Sequence, residues 1–335
     1  VNTLEALQRL AERHRDEFNI PIVGITGSNG KTMVKEWLYQ LLSPSMFVTR
    51  SPRSYNSQIG VPLSVWLMNE QTEVGVFEAG ISQPGEMLAL RDIIQPTIAV
   101  LTYLGSAHQE NFESLEAKCR EKIILFHDAE TIVYNGDDEI VSKVVGEYHD
   151  YKGEKLYWSQ KDAEAPFFIK NIEKKNDLTI VTYIYKGEED SYSLPFIDEA
   201  SVTNSIISAV VSRKLGLSAE DVDKRMSLLE PVAMRLEVKE GQHGCTLIND
   251  SYNSDINSLD IALDFMSRRP DHKGRRHTLI LSDIFQSGET PADLYKEVSD
   301  LCRKRGVVKF IGVGPQLYEQ SDEIQISEKF FFRNV

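Results

Sequence analysis

Hydrophobic and polar positions alternate between two rhythms along this chain. Leu4, Leu7, Leu10 and Ala11 recur at the spacing of one helix face, and Phe18 to Pro21 hand over to an apolar run from Pro21 to Thr26. Such a run fits a strand buried on both faces. Gly27 to Thr32 follow, and then Val34, Trp37, Leu38 and Leu41 again lie on one helix face. Strand, glycine-rich loop and helix therefore come in order. The alternation continues with strands over Glu73 to Ala79, Thr97 to Thr102 and Thr131 to Asn135, separated by helices from about Gly85 to Ile94 and Glu113 to Phe126. Strands alternating with helices of this length predict a mainly parallel sheet covered on both faces.

Between about Lys155 and Pro195 the rhythm changes to β-branched and aromatic segments such as Leu178 to Tyr185, which read as antiparallel hairpins added to that sheet. Helices over Ser201 to Leu215 and Ser218 to Leu229 lead to Glu230-Pro231, where a domain boundary is expected. Beyond it, strands over Arg235 to Lys239, Gly244 to Asn249, Thr278 to Leu281 and Val307 to Val313 alternate with helices over Ser258 to Met266 and Asp293 to Arg303. This predicts a second, smaller α/β unit, so the chain divides into 1–229 and 230–335.

A length of 335 residues suits two domains, and 37 Lys and Arg against 51 Asp and Glu give a net charge of −14. That field repels phosphate backbones and acidic headgroups, which argues against nucleic-acid or membrane-surface partners. An anionic ligand must be caught locally. Cys119, Cys245 and Cys302 form neither a CxxC pair nor a zinc pattern, which points to a reducing, cytoplasmic setting. No apolar stretch approaches the ~18 residues of a membrane-spanning helix.

Local capture of an anion is what Thr26-Gly27-Ser28-Asn29-Gly30-Lys31-Thr32 offers. Glycines let backbone N–H groups converge on phosphate oxygens, and the following helix sets its positive end behind them. Lys31 reaches toward β- and γ-phosphates, and Thr32 supplies a hydroxyl to Mg²⁺, which implies ATP. A standard phosphate loop carries glycine six residues before its lysine. Ile25 stands there, with glycines at Gly24 and Gly27 instead. Glu78 ends an apolar strand, where a parallel sheet presents residues to ligands, and His108 follows the next strand and falls on the same edge. Glu78 is thereby a candidate metal ligand, whereas a loop histidine such as His108 is by itself more often solvated or satisfied. Asn135-Gly136-Asp137-Asp138 reads as a turn, and Arg50 with Arg53 as a local positive patch.

The TGSNGKT spacing, Tyr55 to Pro62, Glu78-Ala79-Gly80, Pro84 to Met87 and Asp250-Ser251-Tyr252-Asn253 together resemble the Mur ligase family. These are ATP-dependent amide-forming enzymes of peptidoglycan precursor synthesis, grouped with folylpolyglutamate synthases. The resemblance runs along essentially the whole chain. It implies a P-loop ATPase type central domain and a Rossmann-like C-terminal domain, here a fragment without the N-terminal UDP-binding domain and cut short near Val335. It also implies ligation of D-alanyl-D-alanine to UDP-N-acetylmuramoyl-tripeptide through an acyl phosphate. A diaminopimelate or lysine adder, a folylpolyglutamate synthase, and a nucleotide-binding module without turnover are the alternatives. Some members continue into an alanine racemase domain, which leaves a fused racemase open for a longer parent chain.

Residue by residue, the resemblance implies two Mg²⁺ ions held by Thr32, Glu78, His108 and a carbamylated lysine, with Lys31, Glu78, His108 and that lysine catalytic. Counting along the family pattern lands on Lys122, and Lys118 competes from the same helix face. Asn204 corresponds to the asparagine that reads adenine, although Ala200-Ser201 replace the usual His-Asn before it. Arg235 and Asp250 correspond to nucleotide-binding residues of the C-terminal domain, brought to Lys31 by domain closure; Asn56 and Ser57, in the Tyr55 to Gly60 segment, are expected to face the tripeptide, with a plain loop as the alternative. Asp255 and the Ser282 to Gly288 loop depart from the family pattern and receive no role.

Overall fold

The computed structural model describes residues 2–105, 111–149, 151–175, 178–233, 235–251, 255–268, 274–285 and 290–334. Its chain forms two compact units. The first comprises residues up to 105, 111–196 and 200–230, and the second 197–199 and 231 onward.

In the first unit helix α1 (Thr3–Arg15) leads into β1 (Ile22–Thr26), α2 (Lys31–Leu42), β2 (Val48–Arg50), α3 (Gly60–Val65), β3 (Val74–Glu78), α4 (Glu86–Ile94), β4 (Ile98–Leu101), α5 (Leu115–Lys122), β5 (Thr131–Asn135), α6 (Glu139–Gly146) and β6 (Glu154–Ser159). The meander β7 (Phe167–Lys175), β8 (Leu178–Tyr185) and β9 (Glu188–Leu194) follows, and then α7 (Glu199–Lys214) and α8 (Ala219–Met226). Among the described residues the strands form one nine-stranded sheet in the order β2-β3-β1-β4-β5-β6-β7-β8-β9.

Every residue of β1, β3 and β4 is buried, as their unbroken apolar runs require. Trp37, Leu38 and Leu41 of α2 are fully buried. Each contributes about 1.5–3 kcal/mol relative to exposure. Neighbouring β1, β3 and β4 run parallel, with Ile25 beside Glu78 and Val100. Because β2 and β3 lie on one side of β1 and β4 on the other, the strand order reverses here. The crevice at the carboxyl ends of these strands is where such sheets bind ligands.

Two expectations shift. The segment from Lys155 opens with a parallel strand, since β6 pairs parallel with β5, and only β7, β8 and β9 pair antiparallel. The helix expected to reach Phe126 ends as α-helix at Lys122 and tightens into a 3₁₀ turn over Ile123–Phe126. The 135–138 turn forms as read: Asn135 Oδ1 accepts from Asp137 N at 2.9 Å, and Asp138 Oδ1 caps α6 through Ile140 N and Val141 N, each at 3.0 Å.

The second unit holds a hairpin of β10 (Glu237–Glu240) and β11 (Thr246–Asn249), then α9 (Ile256–Arg268), β12 (His277–Ser282), α10 (Pro291–Lys304), β13 (Val307–Val313), α11 (Pro315–Glu319) and β14 (Glu328–Phe332). Strands β12, β13 and β14 form a parallel sheet, packed through Leu281 and Phe310 against Leu263 of α9 and Val298 of α10. Strand β10 starts later than expected because Leu236 sits in the left-handed region, at φ +50°. No helix among the described residues is long and apolar enough to cross a membrane.

Candidate active site at the sheet edge

The loop after β1 is shaped by its glycines. Gly27 (φ +145°) lies so close to β4 that a Cβ would fall 2.1 Å from Thr102 Oγ1. At Gly30 (φ +88°) a Cβ would fall 2.5 Å from Asn204 Oδ1. Both positions therefore need glycine for conformation and for space. Thr102 Oγ1 donates to Asn29 O at 2.6 Å, Ser28 N donates to Tyr103 O at 2.6 Å, and Ser28 Oγ donates to Gly105 O at 3.0 Å. The loop is thus moulded before any ligand arrives, with the N-terminus of α2 directly behind it.

Lys31 folds back over this loop, donating to Gly27 O at 2.8 Å and Ser28 O at 3.2 Å. Lys122, at the end of α5, reaches the same Gly27 O at 3.2 Å. Burial holds the Lys122 amine well below the usual lysine range, and the charges of Lys31 and Lys118 act in the same direction. Lys118 is buried as well, but its ammonium turns to Gly105 O. Lys122 thus touches the phosphate loop at the carbonyl that Lys31 also meets.

Glu78, at the carboxyl end of β3, is fully buried. Its Oε2 accepts from Thr32 Oγ1 at 3.2 Å and from Asn56 Nδ2 at 3.4 Å, and its backbone N donates to Ser51 Oγ at 3.2 Å. Among the described residues no group of three or more His, Cys, Asp or Glu could cage a metal by itself. A hydroxyl and one carboxylate oxygen side by side instead fit Mg²⁺, which keeps several waters and takes its other ligands from phosphates. Asn56 closes the ring of polar groups: its O accepts from Gly80 N at 2.8 Å, and a Cβ on Gly80 would strike its side chain at 2.8 Å. Ser57 Oγ accepts from Gly60 N at 3.2 Å and so anchors the start of α3.

Asn204 on α7 is buried against Gly30, so it too belongs to this edge. Arg235 and Asp250 lie in the second unit, where Asp250 Oδ1 accepts from Leu236 N at 3.1 Å. His108, Tyr252, Asn253 and the Gln286 to Gly288 part of the last loop lie outside the described residues. The positive patch expected at Arg50 and Arg53 does not form at Arg50. Its Nε pairs with Glu36 Oε2 at 3.0 Å and its guanidinium lies 3.5 Å over the Tyr39 ring.

Sequence reasoning missed Lys35. It is fully buried and pairs with Glu78 Oε1 at 3.2 Å and Glu36 Oε1 at 2.9 Å. Its position four residues after Lys31, on the face of α2 that otherwise carries Val34 and Leu38, was the available signal.

This loop, strand and helix arrangement falls inside a match to the Mur ligase middle domain over residues 25–212. The chain belongs to the Mur ligase family. The UDP-N-acetylmuramoyl-tripeptide--D-alanyl-D-alanine ligase of Bacillus subtilis is 28% identical over 308 residues, which are 88% of this chain and 63% of that protein. The chain thus spans under two thirds of that relative. Among solved structures, MurF from Acinetobacter baumannii superposes with a TM-score of 0.84 at 20% identity, covering 99% of this chain and 72% of that one. The MurF ligase from Thermotoga maritima in complex with ADP superposes with a TM-score of 0.82 at 23% identity, covering 99% and 74%. At these identities the superpositions establish a shared Mur ligase fold.

Proposed function

We propose that this chain carries the nucleotide site of an ATP-dependent, cytoplasmic amide ligase that joins D-alanyl-D-alanine to UDP-N-acetylmuramoyl-tripeptide. The observation that carries this reading is the convergence of Lys31, Lys122, Thr32 and Glu78 on one sheet edge, within a chain whose curated relatives bear that activity in their names. In the reaction a carboxylate oxygen of the tripeptide attacks the γ-phosphorus, and the bond to the ADP oxygen breaks. The amine of D-alanyl-D-alanine then forms the C–N bond, loses a proton and expels inorganic phosphate.

Bound Mg²⁺ would neutralise phosphate charge during the transfer. Thr32 and Glu78, with His108, are assigned to hold it. Lys31 and the N-terminus of α2 stabilise the negative charge that moves onto the leaving phosphate. Lys122 is assigned the carbamate: its neutral amine adds CO₂, forming an N–C bond and releasing a proton, and the product is an anionic oxygen ligand for a second ion. Burial keeps Lys122 toward its neutral form, and its contact with the Gly27 carbonyl places it at the phosphate loop; both support that assignment. Asn204, Arg235 and Asp250 are assigned to the nucleotide, and Asn56 and Ser57 to the tripeptide side.

The test is ADP release with UDP-N-acetylmuramoyl-tripeptide, with the acceptor exchanged among D-alanyl-D-alanine, meso-diaminopimelate, lysine and glutamate. Amide formation with D-alanyl-D-alanine alone is expected. ATP consumption without amide product would defeat the proposal, and product with another amine would move it within the family. The 63% coverage of the Bacillus relative favours one second reading, a nucleotide-binding module that binds ATP without turnover in a chain of this extent. Calorimetric titration with a non-hydrolysable ATP analogue, beside turnover, separates the two.

A further inference from the structure

Lys35 is the residue of this site for which the reaction scheme has no place. A buried ammonium is costly unless its protons are satisfied. Here Glu78 Oε1 at 3.2 Å, Glu36 Oε1 at 2.9 Å, Ser51 O at 2.8 Å and Arg53 O surround it. Glu36 in turn pairs with Arg50, so two carboxylates and two cations balance within the first unit. The consequence for Glu78 is asymmetric. Its Oε1 accepts no hydrogen bond and faces the Lys35 ammonium at 3.2 Å as an ion pair, whereas Oε2 accepts from Thr32 and Asn56.

We propose that Lys35 is a positioning residue for the metal: by engaging Glu78 Oε1 it makes Glu78 a one-oxygen ligand and selects Mg²⁺ over Ca²⁺. This rests on the reading of Glu78 as a metal ligand. Mg²⁺ demands compact octahedral geometry, while Ca²⁺ readily takes both oxygens of one carboxylate. The positive charge beside Oε1 opposes a second cation there and so disfavours the two-oxygen mode, while the hydrogen bonds from Thr32 and Asn56 hold Oε2. The same ammonium bonds to the carbonyls of Ser51 and Arg53, the latter in the left-handed region at φ +48°, and so pins the loop that carries Asn56. One side chain therefore ties the metal-facing carboxylate to its neighbouring amide.

The test is Mn²⁺ binding to the purified chain, read by electron paramagnetic resonance with a non-hydrolysable ATP analogue present and Ca²⁺ or Mg²⁺ as competitor. Lys35→Met is expected to weaken Mn²⁺ binding about 10–100-fold, the scale of lost outer-shell support, and to narrow the preference for Mg²⁺ over Ca²⁺. Affinity for the analogue without metal should stay as in the parent chain. Parent-like Mn²⁺ affinity and Ca²⁺ competition in K35M would overturn the proposal. Glu78→Gln runs in parallel. If it also binds Mn²⁺ like the parent, the ligand reading itself fails and the proposal falls with it; if it loses Mn²⁺ while K35M keeps it, only the role of Lys35 falls. Should K35M not fold, Lys35→Arg keeps the buried charge but replaces the compact ammonium with a planar fork, and the same loss and the same overturning result apply.

Discussion

Lys31 and Lys122 donate to a single carbonyl oxygen, that of Gly27, at 2.8 and 3.2 Å. Two ammonium groups at one acceptor would repel each other, which together with burial holds Lys122 toward its neutral amine. Anionic charge relieves that repulsion in either of two ways, as phosphate beside Lys31 or as a carbamate on Lys122. Both are what the proposed reaction brings to this edge.

Carbamylation makes a direct prediction. With ¹³C-labelled bicarbonate the parent chain should show a carbamate carbon resonance that Lys122→Arg lacks and Lys118→Arg retains. The reverse pattern would transfer the modification to Lys118. In a turnover-competent protein Lys122→Arg should lower kcat by about 10²–10³, the scale of one lost electrostatic contact in a water-excluded site.

The depressed Lys122 pKa also fixes the sign of a pH effect. Burial, with Lys31 and Lys118, makes the folded chain release this proton at a lower pH than the unfolded chain does. Between the lowered folded value and the ordinary ~10.4 the unfolded state binds more protons, so this lysine makes stability rise with pH, by up to about 1.4 kcal/mol per unit. In CO₂-free buffer the unfolding free energy of the parent minus that of Lys122→Met should climb across that window. A flat difference would show that Lys122 stays charged in the fold.

Gly30→Ala tests the loop. A left-handed backbone costs a non-glycine residue about 1–2 kcal/mol, and the new Cβ would sit 2.5 Å from Asn204 Oδ1. Denaturant unfolding should show at least that loss. Titration with an ATP analogue should show affinity reduced by about tenfold or more, since each 1.4 kcal/mol of loop distortion is a factor of ten.

Asp138→Ala separates a turn from a nucleotide contact. Asp138 caps α6 through Ile140 N and Val141 N, so its loss should cost about 1 kcal/mol of stability and leave analogue affinity unchanged. A fall in affinity would place this turn in the nucleotide site.

Much of the site is legible without coordinates because its chemistry is local. The glycine loop between a buried run and a helix announces an anion site, and a carboxylate closing the apolar strand Val74–Glu78 has little use in packing. Other elements were harder to see. Helix α6 has Ile140, Val141, Val144 and Val145 at helical spacing but is short and β-branched, and β14, with its run of three phenylalanines, shows no alternation. Neither was expected. Strand β6 was misjudged because pairing direction is set by the partner across the sheet, which composition does not reveal.

The sequence by itself determined where strands and helices recur, where backbone N–H groups gather, and which residues carry charge at strand ends, because periodicity and glycine placement act over a few neighbouring residues. Only the tertiary structure decided that Lys122 meets the Gly27 carbonyl, that Arg50 is held by Glu36 and Tyr39, and that Lys35 lies buried on Glu78. Those outcomes depend on which distant groups the sheet order brings within hydrogen-bond range. A charged side chain keeps its charge wherever it stands, but its partner is chosen by the fold.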